Sequence, residues 1–150
     1  MKYDFDKDLE LSQKYEKKFA DYLMSKGVPK VKLAPKCRYE DYDVSSGVGT
    51  FEIKYDRWMQ STNNFCLETM SCVENNSLGW FFKTKADKII VFYNDTDFVH
   101  ISMKELADNW FDRPEIWEKK IIQQEGWTTV VWLANCNNMF GLMTGSVKDE

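Results

Sequence analysis

The order in which the hydrophobic period changes along the chain constrains the fold most. Over residues 8–26, Leu11, Tyr15, Phe19, Tyr22 and Leu23 recur at helical spacing, and Gly27 and Pro29 stop the pattern. A basic connection broken by prolines, VPKVKLAPKCR, leads into two extended runs, 39–45 and 50–57, on either side of SSGVG, a glycine-containing turn of hairpin length. The run NFCLETMSCV reads as a third strand, 78–87 as a short helix, and IIVFY as a fully buried strand. Residues 98–101 make another short strand, and Ser102 with Glu105 has capping-box spacing for a helix to about residue 111. Pro114 suits the first turn of a further helix, PEIWEKKIIQQ, and WTTVVWLA and NMFGLM supply one or two final strands. This order predicts one domain over 1–150, an α/β or α+β sandwich around a mixed central sheet.

Composition narrows the function. The 150 residues are 43% apolar, enough for a core, and 15% aromatic, with only 7 Gly and 3 Pro, which excludes low-complexity and collagenous chains. No apolar run approaches the ~20 residues that span a bilayer, and the first residues, MKYDFDKDLE, are too acidic for a leader, so the expectation is a cytoplasmic protein without membrane contact. A net charge of −4, from 24 acidic and 20 basic residues, argues against coating nucleic acid by bulk attraction but leaves room for a local basic site. Cys37, Cys66, Cys72 and Cys136 form no CxxC pair, which points to reduced thiols, and the single histidine, His100, excludes chemistry that needs two. The chain also lacks the glycine-rich phosphate loops of nucleotide-driven enzymes.

The chemistry concentrates in YEDYDVSSGVGTFEIKYD. In a strand, residues two apart share a face, so Glu52 and Lys54 point together while Phe51, Ile53 and Tyr55 point the other way. Across the hairpin, Asp43 comes close to Glu52, which gathers two carboxylates and an ammonium. Such carboxylates suit a hard divalent ion, Mg²⁺ or Mn²⁺, that activates water and neutralises phosphate charge beside the lysine. In outline this is a site for phosphodiester hydrolysis.

Asp43 followed by Glu52-Ile53-Lys54 resembles the signature of the PD-(D/E)XK nuclease superfamily, and the likeness runs from the first helix to IIVFY. It implies a restriction-endonuclease-like α/β/α sandwich in which Asp43 and Glu52 bind the metal and Lys54 assists catalysis. Resolvase-like and phage-type members add a glutamate on the first helix, and Glu16 is the position that fits as a further metal and catalytic residue. The string SLGWFFKTKADKIIVFY resembles small phage and bacterial members through Gly79, Thr84, Ala86 and Asp87. Tyr42 stands where the signature often has proline, and Asp41 shares the strand face of Asp43, but the nine-residue spacing favours Asp43.

Lys30, Lys32, Lys36 and Arg38 form a basic run suited to clamping a DNA backbone, which Lys14, Lys17 and Lys18 could extend, and Lys83 and Lys85 offer further phosphate contacts. Arg57 sits beside Trp58, the tryptophan best placed to touch a substrate, whereas Trp110, Trp117, Trp127 and Trp132 read as core or interface anchors. Glu68 either extends the carboxylate cluster or is an ordinary strand residue. The expectation is an Mg²⁺-dependent nuclease acting on DNA, and a homodimer would suit cleavage of two strands. The alternatives are a catalytically silent relative that binds DNA or protein through the same surface, and an interaction protein of unrelated fold.

Overall fold

The computed structural model describes residues 5–35, 37 and 41–148. Helix α1 (Phe5–Ser25) buries Tyr15, Phe19, Ala20 and Leu23 on one side, and Gly27 ends it at φ +81°, a left-handed position that favours glycine. After β1 (Lys32–Leu33) come β2 (Val44–Ser46) and β3 (Gly49–Tyr55), paired antiparallel through the expected glycine turn. A single turn, α2 (Met59–Thr62), leads to β4 (Asn64–Cys72) and β5 (Ser77–Leu78). Then follow α3 (Trp80–Lys83), β6 (Lys88–Phe92), β7 (Asp97–Ser102) and α4 (Met103–Asp112), where the Ser102 hydroxyl accepts the Glu105 amide as the capping box requires. A 3-10 turn, Pro114–Ile116, precedes β8 (Glu118–Gln123), β9 (Thr128–Asn135) and β10 (Met143–Ser146).

The central sheet is mixed: its order is β1-β2-β3-β6-β7-β10, with β3 and β6 parallel and the other neighbours antiparallel. A parallel pair needs a crossover. Here the crossover carries β4 and β5, which belong to a second, antiparallel sheet of order β5-β4-β9-β8.

One face of the central sheet offers Phe51, Ile53, Ile90, Phe92 and Phe98 to α1. The other face sends Ile89, Val91, Val99 and Ile101 against Phe65, Leu67 and Ala134 of the second sheet, Phe81 of α3 and Leu106 of α4. The layers are therefore helix, mixed sheet, and a second sheet flanked by short helices. A helical third layer, as in an α/β/α sandwich, is replaced because residues 64–72 and 118–135 pair with each other rather than coil.

Three local expectations need correction. Residues 78–87 hold only one helical turn, because Lys85 and Asp87 donate their amides to the carbonyls of Asp41 and Thr50 and so run extended. Residues after Pro114 do not continue as a helix: Trp117 is buried with its indole donating to the Asn109 carbonyl, and Glu118–Gln123 ladders along β9. The run 39–45 is strand only from Val44, with residues 41–43 outside the ladder and 38–40 outside those described, and the connection before it holds the short strand β1.

Candidate active site

The shortness of β2 makes the site. Before Val44 the chain has not yet joined the ladder, so the Ile53 amide has no strand carbonyl opposite it, and Asp43 Oδ2 takes that N–H at 2.7 Å. The Asp43 side chain is thereby held against the middle of β3, where Glu52 and Lys54 project. Glu52 is 5% exposed and pairs with the Lys54 Nζ at 3.1 Å. From the other side of the sheet edge, Glu16 of α1 reaches Asp43 and the two carboxyl groups share a hydrogen bond. Ionised carboxylates only accept, so that contact needs a proton on one of them.

The electrostatics agree with that picture. Burial pushes Glu52 up to about 7, with Asp43 adding to the rise and Lys54 and a Thr84 hydrogen bond opposing it. Burial likewise raises Asp43 to about 6, against the pull of the Ile53 amide and Lys54. Glu16 is raised for the same reason. Burial on its own would lower Lys54, but the charges of Glu52 and Asp43 outweigh it and hold the ammonium above its ordinary value. Three carboxyl groups thus share one lysine, and each holds its proton to a higher pH than it would in water.

Would a divalent cation fit? The donor chemistry suits one, since hard ions take carboxylate oxygens and the cluster lacks positive charge. The carboxylates are nevertheless engaged with Ile53, Lys54 and each other, and among the described residues no three His, Cys, Asp or Glu side chains are gathered as a metal-ligand set. An ion at Asp43 and Glu52 would therefore take the place of protons and of part of the Lys54 contact.

Two clefts meet at Lys54. The larger, about 450 Å³, is lined by residues that include Ser12, Tyr15, Tyr55, Asp56, Cys66, Glu68 and Trp80. The smaller, about 210 Å³, lies beside Glu52 and is lined by Glu68, Ser71, Trp80 and Lys83 among others. Trp80 forms the ridge between them, with the Lys54 ammonium 5.9 Å from its ring centroid. Gly79 makes this possible: a Cβ there would lie 2.3 Å from the Glu68 carbonyl oxygen. The close approach lets the Trp80 amide donate to Glu68 Oε1 at 3.3 Å, so Glu68 borders the site and holds its ridge.

Of the other expected residues, Lys83 faces the smaller cleft. Lys85 instead pairs with Asp41 at 3.7 Å. Arg57 lies against the exposed ring of Trp58, its guanidinium 4.7 Å from the centroid. Lys30 and Lys32 are exposed near the β2–β3 turn, while Lys36 and Arg38 lie outside the described residues. Lys14 and Lys18 are engaged with Asp95. His100 sits on β7 against Phe98, with burial lowering its pKa. The Thr84 hydroxyl lies between two acceptors, the Glu52 carboxylate and the Asp41 carbonyl at 3.2 Å, and so borders the site, whereas Asp87 is structural, its Oδ2 accepting the Thr50 amide. Asp56, Trp80 and Tyr55 were not foreseen as site residues. Asp56 carried a signal, since it continues the period-two series of Glu52 and Lys54, but Trp80 arrives only through the crossover.

Set against known protein families, characterised proteins and solved structures, the chain matches none of them. Among the described residues no helix is long and apolar enough to cross a membrane.

Proposed function

We propose that this chain is a divalent-metal-dependent nuclease with a restriction-endonuclease-like core, hydrolysing phosphodiester bonds in DNA. The observation that carries the reading is the meeting of Glu16, Asp43, Glu52 and Lys54 where β2 leaves β3. Asp43 and Glu52 would hold Mg²⁺ or Mn²⁺ with Glu16 adjacent. The ion, when bound, supplies an activated water and neutralises phosphate charge.

The chain's own residues supply the rest. The Ile53 amide fixes Asp43, so a carboxylate oxygen is oriented before substrate arrives. Lys54, kept protonated by its acidic neighbours, stands ready to position water or stabilise charge developing on the phosphate. Its position between Glu52 and the Trp80 ring restricts where that charge can go. Lys83, beside the same cleft, offers a second cation for an adjoining phosphate.

The Glu52–Lys54 ion pair also favours a second reading, a silent relative that only binds, because it occupies both groups with each other. One measurement separates the two. Lys54→Ala should slow single-turnover cleavage by on the order of a hundredfold or more while leaving DNA affinity nearly unchanged, since one lysine supplies little of the total phosphate attraction. Cleavage at the wild-type rate, or a wild type inert with every divalent metal tried, would hand the site to the silent reading.

A further inference from the structure

We infer that the larger cleft beside Lys54 receives one unstacked nucleobase, so that the preferred strand is single-stranded or carries an unpaired nucleotide next to the scissile phosphate. The inference rests on the nuclease reading only for where that phosphate lies.

Size and lining carry the argument. At about 450 Å³ the cleft falls in the range of small-ligand sites. Two half-buried rings line it: Tyr55, backed by the buried Tyr15 with centroids 4.5 Å apart and planes 7° apart, and Trp80 on the ridge. Such surfaces take a base by stacking, whatever its sequence. Asp56 and Glu68 add carboxylates to the lining. Carboxylates repel phosphate but accept hydrogen bonds from base amino groups, so the base belongs in this cleft and the phosphate toward Lys54 and Lys83. A base paired in a duplex cannot enter a concave cleft without being flipped out, a cost that an unpaired base does not bear.

A second observation is independent of the cleft. Immediately beyond Asp56, Trp58 is 64% exposed with Arg57 on its ring, and its amide is tied to Asp56 Oδ1 at 2.9 Å. A large aromatic held in solvent on a fixed turn, with a guanidinium stacked on it, is a platform for the next base and its phosphate. Cleft and platform together describe a track for a single strand leaving the site.

The test is a fluorescence-anisotropy titration of the full chain, in chelator so that nothing is cut, against a short oligodeoxycytidine strand, whose bases carry the amino group the carboxylates would accept, and a blunt duplex. The strand should bind at least about tenfold tighter than the duplex. Trp58→Ala should weaken strand binding about tenfold and leave the duplex unchanged. Ser12→Trp, at an exposed position of α1 that lines the cleft, should block the cleft without burdening the core, and again only strand binding should suffer. Equal affinity for strand and duplex, strand binding untouched in both variants, or deoxycytidine monophosphate binding as tightly as the strand would each overturn the inference. Strand preference in a protein that cuts nothing with Mg²⁺ or Mn²⁺ would support the inference and remove the nuclease reading. Cleavage of duplex with no strand preference would do the reverse.

Discussion

The two faces of β3 differ sharply, although their residues alternate along one short strand. Toward α1, Phe51 and Ile53 enter an aromatic cluster in which Phe19 lies 5.0 Å from Phe51 and 5.7 Å from Phe98, both edge-on. Each of these contacts favours the folded chain through burial and ring geometry. Toward the second sheet, Glu52 and Lys54 stand beside Asp43 and Glu16, with carboxyl groups that burial drives toward protonation. The first face is locally consistent with a stable fold, and the second departs from it. Departures of that kind belong to sites rather than to scaffolds.

The largest expected effect tests that division. Phe51→Ala should cost roughly 3–5 kcal/mol, because it removes a ring from a closed cluster and leaves a cavity. Glu16→Gln should act in the opposite direction: a glutamine amide can donate to Asp43, so the hydrogen bond survives without the shared proton. In chelator at pH 8, calorimetry should show a large drop in Tm for the first and a rise of roughly 2–4 °C for the second, the shift that about 1 kcal/mol brings in a chain of this size. A tolerated Phe51→Ala together with a destabilising Glu16→Gln would end the contrast.

How much of this was legible in the sequence depended on whether the deciding contact is local. Helix α1 and the β2–β3 turn are set by residues a few positions apart, so helical spacing, Gly27 and SSGVG were enough. The stretch after Pro114 reads as helix because Glu-Lys-Lys favours one, whereas its register is fixed by β9, with Lys119 opposite Trp132 and Ile121 opposite Val130. Period two placed Glu52 with Lys54, and the phase of α1 placed Glu16. The Asp43 grip on Ile53 depends on how late β2 begins, and Trp80 on a crossover through the second sheet. No nearest-neighbour pattern encodes either.

The effect of pH follows, of intermediate size. Asp43, at about 6, and Glu52, at about 7, are acids whose folded pKa lies above the unfolded values near 4. The native state therefore holds protons more tightly. Their contribution is fully present below about pH 4 and is lost as pH rises through the folded values. Glu74, Asp95 and Asp97 run the other way, with pKa values lowered chiefly by hydrogen bonds from Thr128, Tyr15 and Asn94, and their stabilisation is lost only in more acid solution. In chelator, then, Tm should fall between pH 5 and 8. Mg²⁺ at Asp43 and Glu52 would stabilise the native state most where they are ionised, so the Mg²⁺-induced rise in Tm should grow over the same interval. A metal shift independent of pH, or one retained by Glu52→Ala, would detach the carboxylates from the metal.

The smallest effect belongs to the basic turn before β2. Lys30 is exposed at φ +59°, and the Pro29 carbonyl accepts the Gly47 amide at 2.7 Å, which ties this turn to the tip of the hairpin. Lys32 is exposed on β1. Because Lys30 occupies left-handed backbone, Gly replaces it without strain, and Gln serves for Lys32. The double variant Lys30→Gly, Lys32→Gln should weaken binding of a single strand modestly and flatten its salt dependence by about 1.4 in the log–log slope, two phosphate contacts at ~0.7 each. Trp58→Ala should leave that slope almost unaltered, because stacking releases no counterions. Titrations of both variants across a salt series would separate charge at the turn from stacking on Trp58. An unchanged slope in the double lysine variant would remove this turn from the path of the strand.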